Sequence, residues 1–157
     1  SSDLMYPGQY GEVGRSQGQE MLTPGPNNNQ GYGRVDMARL TDPNGAVAYF
    51  DETSGIGVGE SREYSFDSQG YKEVRVTLVY TDYPGSPSAG KTLVNDLDLV
   101  VTDGSGTSRS VSSRVDNNEQ VPLKSPSDGP LKIVVKGVNV PQGKGGKQPY
   151  ALLISGI

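Results

Sequence analysis

Histidine, cysteine and tryptophan are all missing from this chain of 157 residues. Without histidine there can be no Ser-His-Asp or Cys-His catalysis within the chain, and no His-ligated zinc. Without cysteine, a disulfide scaffold and a thiolate metal site are excluded. That absence fits bacterial secreted proteins without fixing the compartment. Without tryptophan, and with aromatics at 7%, a sugar-stacking platform is poorly supplied, so glycoside hydrolysis by a carboxylate pair such as Asp96 and Asp98 has little behind it. No run of 18 apolar residues reads as a membrane-spanning helix. No signal peptide is visible, and the opening at Ser1 leads us to expect a piece of a longer protein. The 14 basic residues are scattered among 18 acids, for a net charge of -4. Nucleic-acid binding needs a clustered positive patch. We expect neither a nucleic-acid nor a membrane partner.

What the chain does have is turn chemistry: 22 glycines and 11 prolines, with only 32% hydrophobic residues. That balance suits short strands joined by many turns better than long helices. Residues 1–33 are poor in apolar side chains and rich in Gly, Gln, Asn and Pro, so they carry no core of their own. Val35 to Leu40 could form one short helix, stopped by Thr41-Asp42-Pro43-Asn44-Gly45. From Ala46 onward the pattern predicts eight short strands: Ala46 to Asp51, Arg62 to Phe66, Glu73 to Tyr80, Asp96 to Thr102, Ser108 to Ser112, Glu119 to Leu123, Leu131 to Val138 and Tyr150 to Ser155. With no helices between them, the fold expected over 43–157 is an all-β antiparallel sandwich or jelly roll, with 1–42 an irregular extension. Tyr64, Tyr80, Tyr83 and Tyr150 read as half-buried residues at core edges or interfaces.

The stretch Leu93 to Asp103 organises this reading. As a strand it turns Leu97, Leu99 and Val101 to one face and Asp96, Asp98 and Val100 to the other. Its acidic start joins other hard oxygen donors further along the chain. Calcium takes six to eight such oxygens in loops able to wrap it. Asp82, Asn95, Asp96, Asp98, Asp116, Asn118 and Glu119 form the candidate ligand set for a structural calcium ion. Convergence requires the strands after Asn95 and after Asp116 to be neighbours. The alternative is that these residues only make turns and cap strand ends. A second pattern, Gly85 to Thr92, spells the Gly-x-x-x-x-Gly-Lys-Thr of a phosphate-binding loop. That mechanism needs a helix directly after Lys91, and a strand is predicted there, so we read a connecting loop.

Two sets of motifs carry a family resemblance. Asn28-Asn29-Gln30-Gly31-Tyr32-Gly33-Arg34-Val35-Asp36 resembles the segment that closes the catalytic domain of subtilisin-like serine proteases. Val76 to Asp103, Asp116 to Val121, Val138 to Gly143 and Gln148 to Gly156 follow in the order seen in the alkaline subtilases that carry a C-terminal β-barrel. The resemblance covers most of Gln30 to Ile157. It implies that residues 1–42 are the tail of a catalytic domain and that 43–157 is a non-catalytic accessory module. It further implies that the module packs on the protease domain of its own chain, in a secreted endopeptidase, and that it binds calcium. A polypeptide substrate of the parent is a further possible partner. No catalytic residue transfers. The catalytic Asp and His stretches and the Gly-Thr-Ser-Met-Ala-type motif are missing, and Gly106-Thr107-Ser108 runs into Arg109 between predicted strands. A carbohydrate- or protein-binding sandwich is the alternative, because fold does not fix function.

Overall fold

Alternation of apolar and polar residues is realised as eight strands in a computed structural model, in which residues 45–86, 88, 90–127 and 129–156 are described together with four two-residue strands before them. Two compact units are present, Ser1–Gly45 and Ala46–Ile157. In the first, Met5–Tyr6 pairs with Arg34–Val35 and Arg15–Ser16 with Gln19–Glu20, both antiparallel. Val35, where a helix was expected to begin, lies in one of these strands. The remainder of that expected helix, 36–40, is outside the described residues.

The second unit contains β1 (Ala46–Ile56), β2 (Ser61–Asp67), β3 (Glu73–Val79), β4 (Asp96–Thr102), β5 (Ser108–Val111), β6 (Asn118–Lys124), β7 (Pro130–Asn139) and β8 (Gln148–Gly156). They form two antiparallel four-stranded sheets, ordered β6-β3-β8-β1 and β2-β7-β4-β5. The pairing is nested, with β1 on β8, β2 on β7, β3 on β6 and β4 on β5. Rolling that folded ribbon up adds β3 on β8 and β4 on β7. This is the eight-stranded jelly roll, which closes one continuous chain into two packed layers.

The core sits between the sheets. Val74, Val76 and Leu78 of β3 and Leu152 and Ile154 of β8 face Leu97, Leu99 and Val101 of β4 and Leu131, Ile133 and Val135 of β7, all with no exposed surface. The period of two read in Leu97 to Val101 is therefore the packing period. β1 runs five residues further than its sequence pattern indicates. Between Glu52 and Ile56 it spends three residues where β8 spends one, and Gly55 in that bulge has φ 73°. A bulge of this kind bends the strand and hides its continuation from a period-two reading.

Candidate functional site: the acidic end of the sandwich

One end of the jelly roll gathers the residues that open β4, β6 and β8 and close β3. β3 ends at Val79, which pairs with both Asn118 of β6 and Ala151 of β8. β4 begins at Asp96, paired with Asn139 at the end of β7. The loops 80–95, 112–117 and 140–147 cross this end.

Buried amides and carboxylates tie those loops together. Asp82 accepts the Val94 and Asn95 backbone N–H groups at 2.7 and 2.9 Å, a carboxylate closing its own loop. Asn95 is fully buried. Its side-chain amide donates to Gln142 O at 2.9 Å and to Gln148 Oε1 at 2.6 Å, while its Oδ1 accepts the Gln142 N–H at 3.2 Å. Gln148 in turn donates to Thr81 O at 3.1 Å. The Tyr80 hydroxyl donates to Asn95 O at 2.9 Å, and the Asn117 side chain donates to Tyr80 O at 2.7 Å. Burial pushes the Tyr80 phenol well above its ordinary pKa. Few buried polar groups here lack a partner, which is what a polar cluster needs to avoid a desolvation cost.

Glu119 is the least expected member. It lies on the core-facing side of β6, in line with Val121 and Leu123, opposite Leu78, and only 1% exposed. Its two oxygens accept the Leu99 N–H of the other sheet at 2.6 Å and the Ser113 N–H at 2.7 Å. One side chain thus joins the two sheets and the 112–117 loop. Burial, against the opposing pull of those two amides, raises its pKa to about 8, with the charges of Asp98 and Asp96 adding to the rise. By sequence Glu119 is one of the seven candidate calcium ligands. Its alternation with Val121 and Leu123 was the available signal that it points inward.

The seven candidate calcium ligands are distributed as follows. β4 and β6 are not neighbours in a sheet; they belong to opposite sheets, and Glu119 crosses between them. Asp82, Asn95 and Glu119 spend their side-chain oxygens on backbone amides. Asp116 is exposed and accepts the Ser113 hydroxyl at 3.1 Å. Asn118 opens β6, half-buried. Asp96 and Asp98 stand two apart on the same outer face of β4. Asp96 is 5% exposed, its Oδ1 is buried with no hydrogen-bond partner, and its Oδ2 lies 3.9 Å from Lys91 Nζ. Burial raises the pKa of Asp98, the Asp96 charge adds to it, and Lys136 and Arg114 oppose it. Among the described residues no group of three or more acidic side chains gathers as a metal cage.

The other sequence patterns resolve into structure. Beyond Lys91 the chain enters β4 without a helix, and Gly85 packs so closely on Thr92 that a Cβ there would lie 2.6 Å from Thr92 O. Gly106-Thr107-Ser108 is the β4–β5 hairpin. Asp103 Oδ1 accepts the Ser105 and Thr107 amides, and the Ser108 hydroxyl meets that of Thr102 at 2.8 Å. Tyr80 and Tyr150 are buried, Tyr64 is half-buried with its hydroxyl 2.7 Å from that of Tyr150, and Tyr83 is 36% exposed. A groove of about 580 Å³ lies beside the acidic end, lined by Val79, Tyr83, Pro84, Pro149, Ala151 and Asp51 among others.

Comparison with known proteins adds a sparse frame. No protein-family model matches the chain. It is 28% identical over 135 residues to a serine protease/ABC transporter B family protein, tagA, of Dictyostelium discoideum; the match takes in 71% of this chain but 8% of that protein. The chain therefore spans a small fraction of the relative's length. Among solved structures it is similar to the propeptide form of Bacillus licheniformis lipase BlEst2, at TM-score 0.42 and 15% identity over 70% of this chain and 21% of that one. It is also similar to the prophage-derived protein YomS, at TM-score 0.41 and 10% identity over 72% of this chain and 95% of that one.

Proposed function

We propose that this chain is a non-catalytic accessory module of a larger, secreted serine endopeptidase of the subtilisin-like kind, and that its acidic end holds the module's loops in one arrangement. The similarity to a serine protease-named protein supports the protease context, and the ordered motifs from Gln30 to Gly156 support the subtilisin-like reading. The observation that carries the structural role is the hydrogen bonding of Asp82, Asn95 and Gln148 to one another's loops, together with the separate bridge that Glu119 makes between the two sheets. It spends polar side chains on backbone amides and carbonyls and leaves them little capacity for chemistry on a substrate. The groove beside it mixes the apolar Val79, Pro84, Pro149 and Ala151 with three tyrosines, Asp51, Thr81, Asp82 and Gln148.

Calcium belongs to the same proposal in a narrower form than the seven-residue set. Asp96 offers a buried oxygen without a partner, and the neighbouring Asp98 is destabilised as an anion by burial and then by the Asp96 charge. A divalent cation there would relieve both and displace Lys91, drawing its remaining oxygens from backbone carbonyls and water. A site with two carboxylates belongs at the weak end of the calcium range, with Kd on the order of 10⁻⁴–10⁻³ M. At a tenfold excess over Kd, binding to the native state alone contributes about 1.4 kcal/mol. The expected result is a midpoint about 3–6 °C higher in calcium than in EDTA, with the difference abolished by Asp96→Asn. Equal midpoints in calcium and EDTA would remove the ion from the proposal and leave the hydrogen-bonded clamp.

A further inference from the structure

The two sheets end in four edge strands, and three and a half of these edges carry a device that blocks further pairing. β6 contains Pro122, exposed and without an N–H. β5 is four residues long and carries Arg109. β2 carries Arg62 and Glu63, the latter paired to Lys132 at 2.7 Å. The second half of β1 has the Thr53-Ser54-Gly55 bulge and the Glu52–Arg62 ion pair at 3.3 Å. Such devices are how folded sheets avoid adding a strand. The first half of β1, Ala46-Val47-Ala48-Tyr49-Phe50, has none of them. It is uncharged and regular, its register against β8 is unbroken, and no described strand pairs with its outer edge. Val47 is 42% and Tyr49 61% exposed. On the inner side the edge is closed by the half-buried Phe50, whose ring lies 4.7 Å from that of Tyr64.

We infer that this half-strand is a self-association site, where β1 pairs antiparallel with β1 of a second copy about a twofold axis at Ala48. The sequence is self-complementary in that register. Val47 meets Tyr49 of the second copy on the outer face, and Tyr49 meets its Val47; a β-branched residue against an aromatic is a favourable cross-strand pair. On the inner face Phe50 meets Ala46, and on the outer face the uncharged Gly45 stands opposite Asp51. Moving the axis to Asp51 would instead set like charges opposite one another. The contact is isologous, as a twofold interface must be, and joins the two sheets edge to edge into one of eight strands. Five residues a side lie well below the roughly 20–30 of a standard interface, so the association is weak and set by concentration.

The test is sedimentation equilibrium of the full chain between about 10 μM and about 1 mM, the range in which weak self-association is read. The average mass is expected to rise from 16.6 kDa toward twice that value. Tyr49→Lys, at a site already mostly in water, is expected to hold the mass at that of a single chain while leaving the circular dichroism spectrum unchanged. Backbone hydrogen exchange over 46–51 is expected to slow as concentration rises in the wild type and not in the variant. A wild-type mass that stays at one chain across the range would overturn the proposal. So would a Tyr49→Lys chain that still dimerises, or protection that appears in β5 or β6 rather than at 46–51.

Discussion

Glu119 is a carboxylate buried at the seam between the two sheets, only 1% exposed. A carboxylate beside Asp116, Asn117 and Asn118 looks like one more acid in a loop. Its place in β6 turns it inward, and the chain can bury it because two backbone amides from two different elements meet its oxygens. The cost shows in its titration. A pKa of about 8 in the folded chain lies above the ordinary 4.5, so the folded state binds a proton that the unfolded state has released. The contribution of this group to stability is therefore complete below pH about 4.5 and is lost as pH rises through about 8. Asp98, also raised, acts in the same direction. We predict that the denaturation midpoint falls between pH 5 and 8 through Glu119, and that Glu119→Gln flattens much of that slope. Urea titrations at three pH values would check it, and an unchanged slope in the variant would refute the assignment.

At the scale of elements the sequence was largely legible, because strands were marked by alternation and bounded by turn residues. All eight were located from Ala46 onward, and the alternation of Leu97, Leu99 and Val101 against Asp96 and Asp98 is the burial pattern of β4. Two things were hidden. The bulge in β1 breaks the period, so its last five residues carried no signal. The sheet order was hidden too, since which strand lies beside which is decided by rolling the ribbon and not by any local run. Gly137 marks one consequence of that order. It lies in β7 where the turn after β1 docks: its N–H donates to Glu60 O at 3.0 Å, its carbonyl accepts the Gly59 N–H at 2.8 Å, and a Cβ there would fall 2.1 Å from Gly57 O. Backbone would have to move. Gly137→Ala is expected to cost about 1–3 kcal/mol, as overpacking does. An equilibrium unfolding curve within error of wild type would show that the turn shifts freely.

For the molecule as a whole, the fold was legible in the sequence, whereas function was legible only as a protease context, which the similarity to a serine protease-named protein supports. The missing histidine removed the common nucleophile activators before any fold was known, and the packed end of the sandwich shows its polar residues engaged with the backbone. The calcium set was less legible. Oxygen donors near one another in sequence were expected to converge on an ion, but carboxylates can equally close loops by accepting amides, and sequence spacing does not separate the two uses. Among the described oxygen donors only Asp96 Oδ1 is buried without a hydrogen-bond partner. The proposed module assists a protease without being one. Its most direct test is to treat the purified chain with a fluorophosphonate probe and with casein, beside an intact subtilisin-like protease. We predict no labelling and no casein cleavage by the chain alone. Stoichiometric labelling of a serine, with cleavage that the probe abolishes, would contradict the account at its centre.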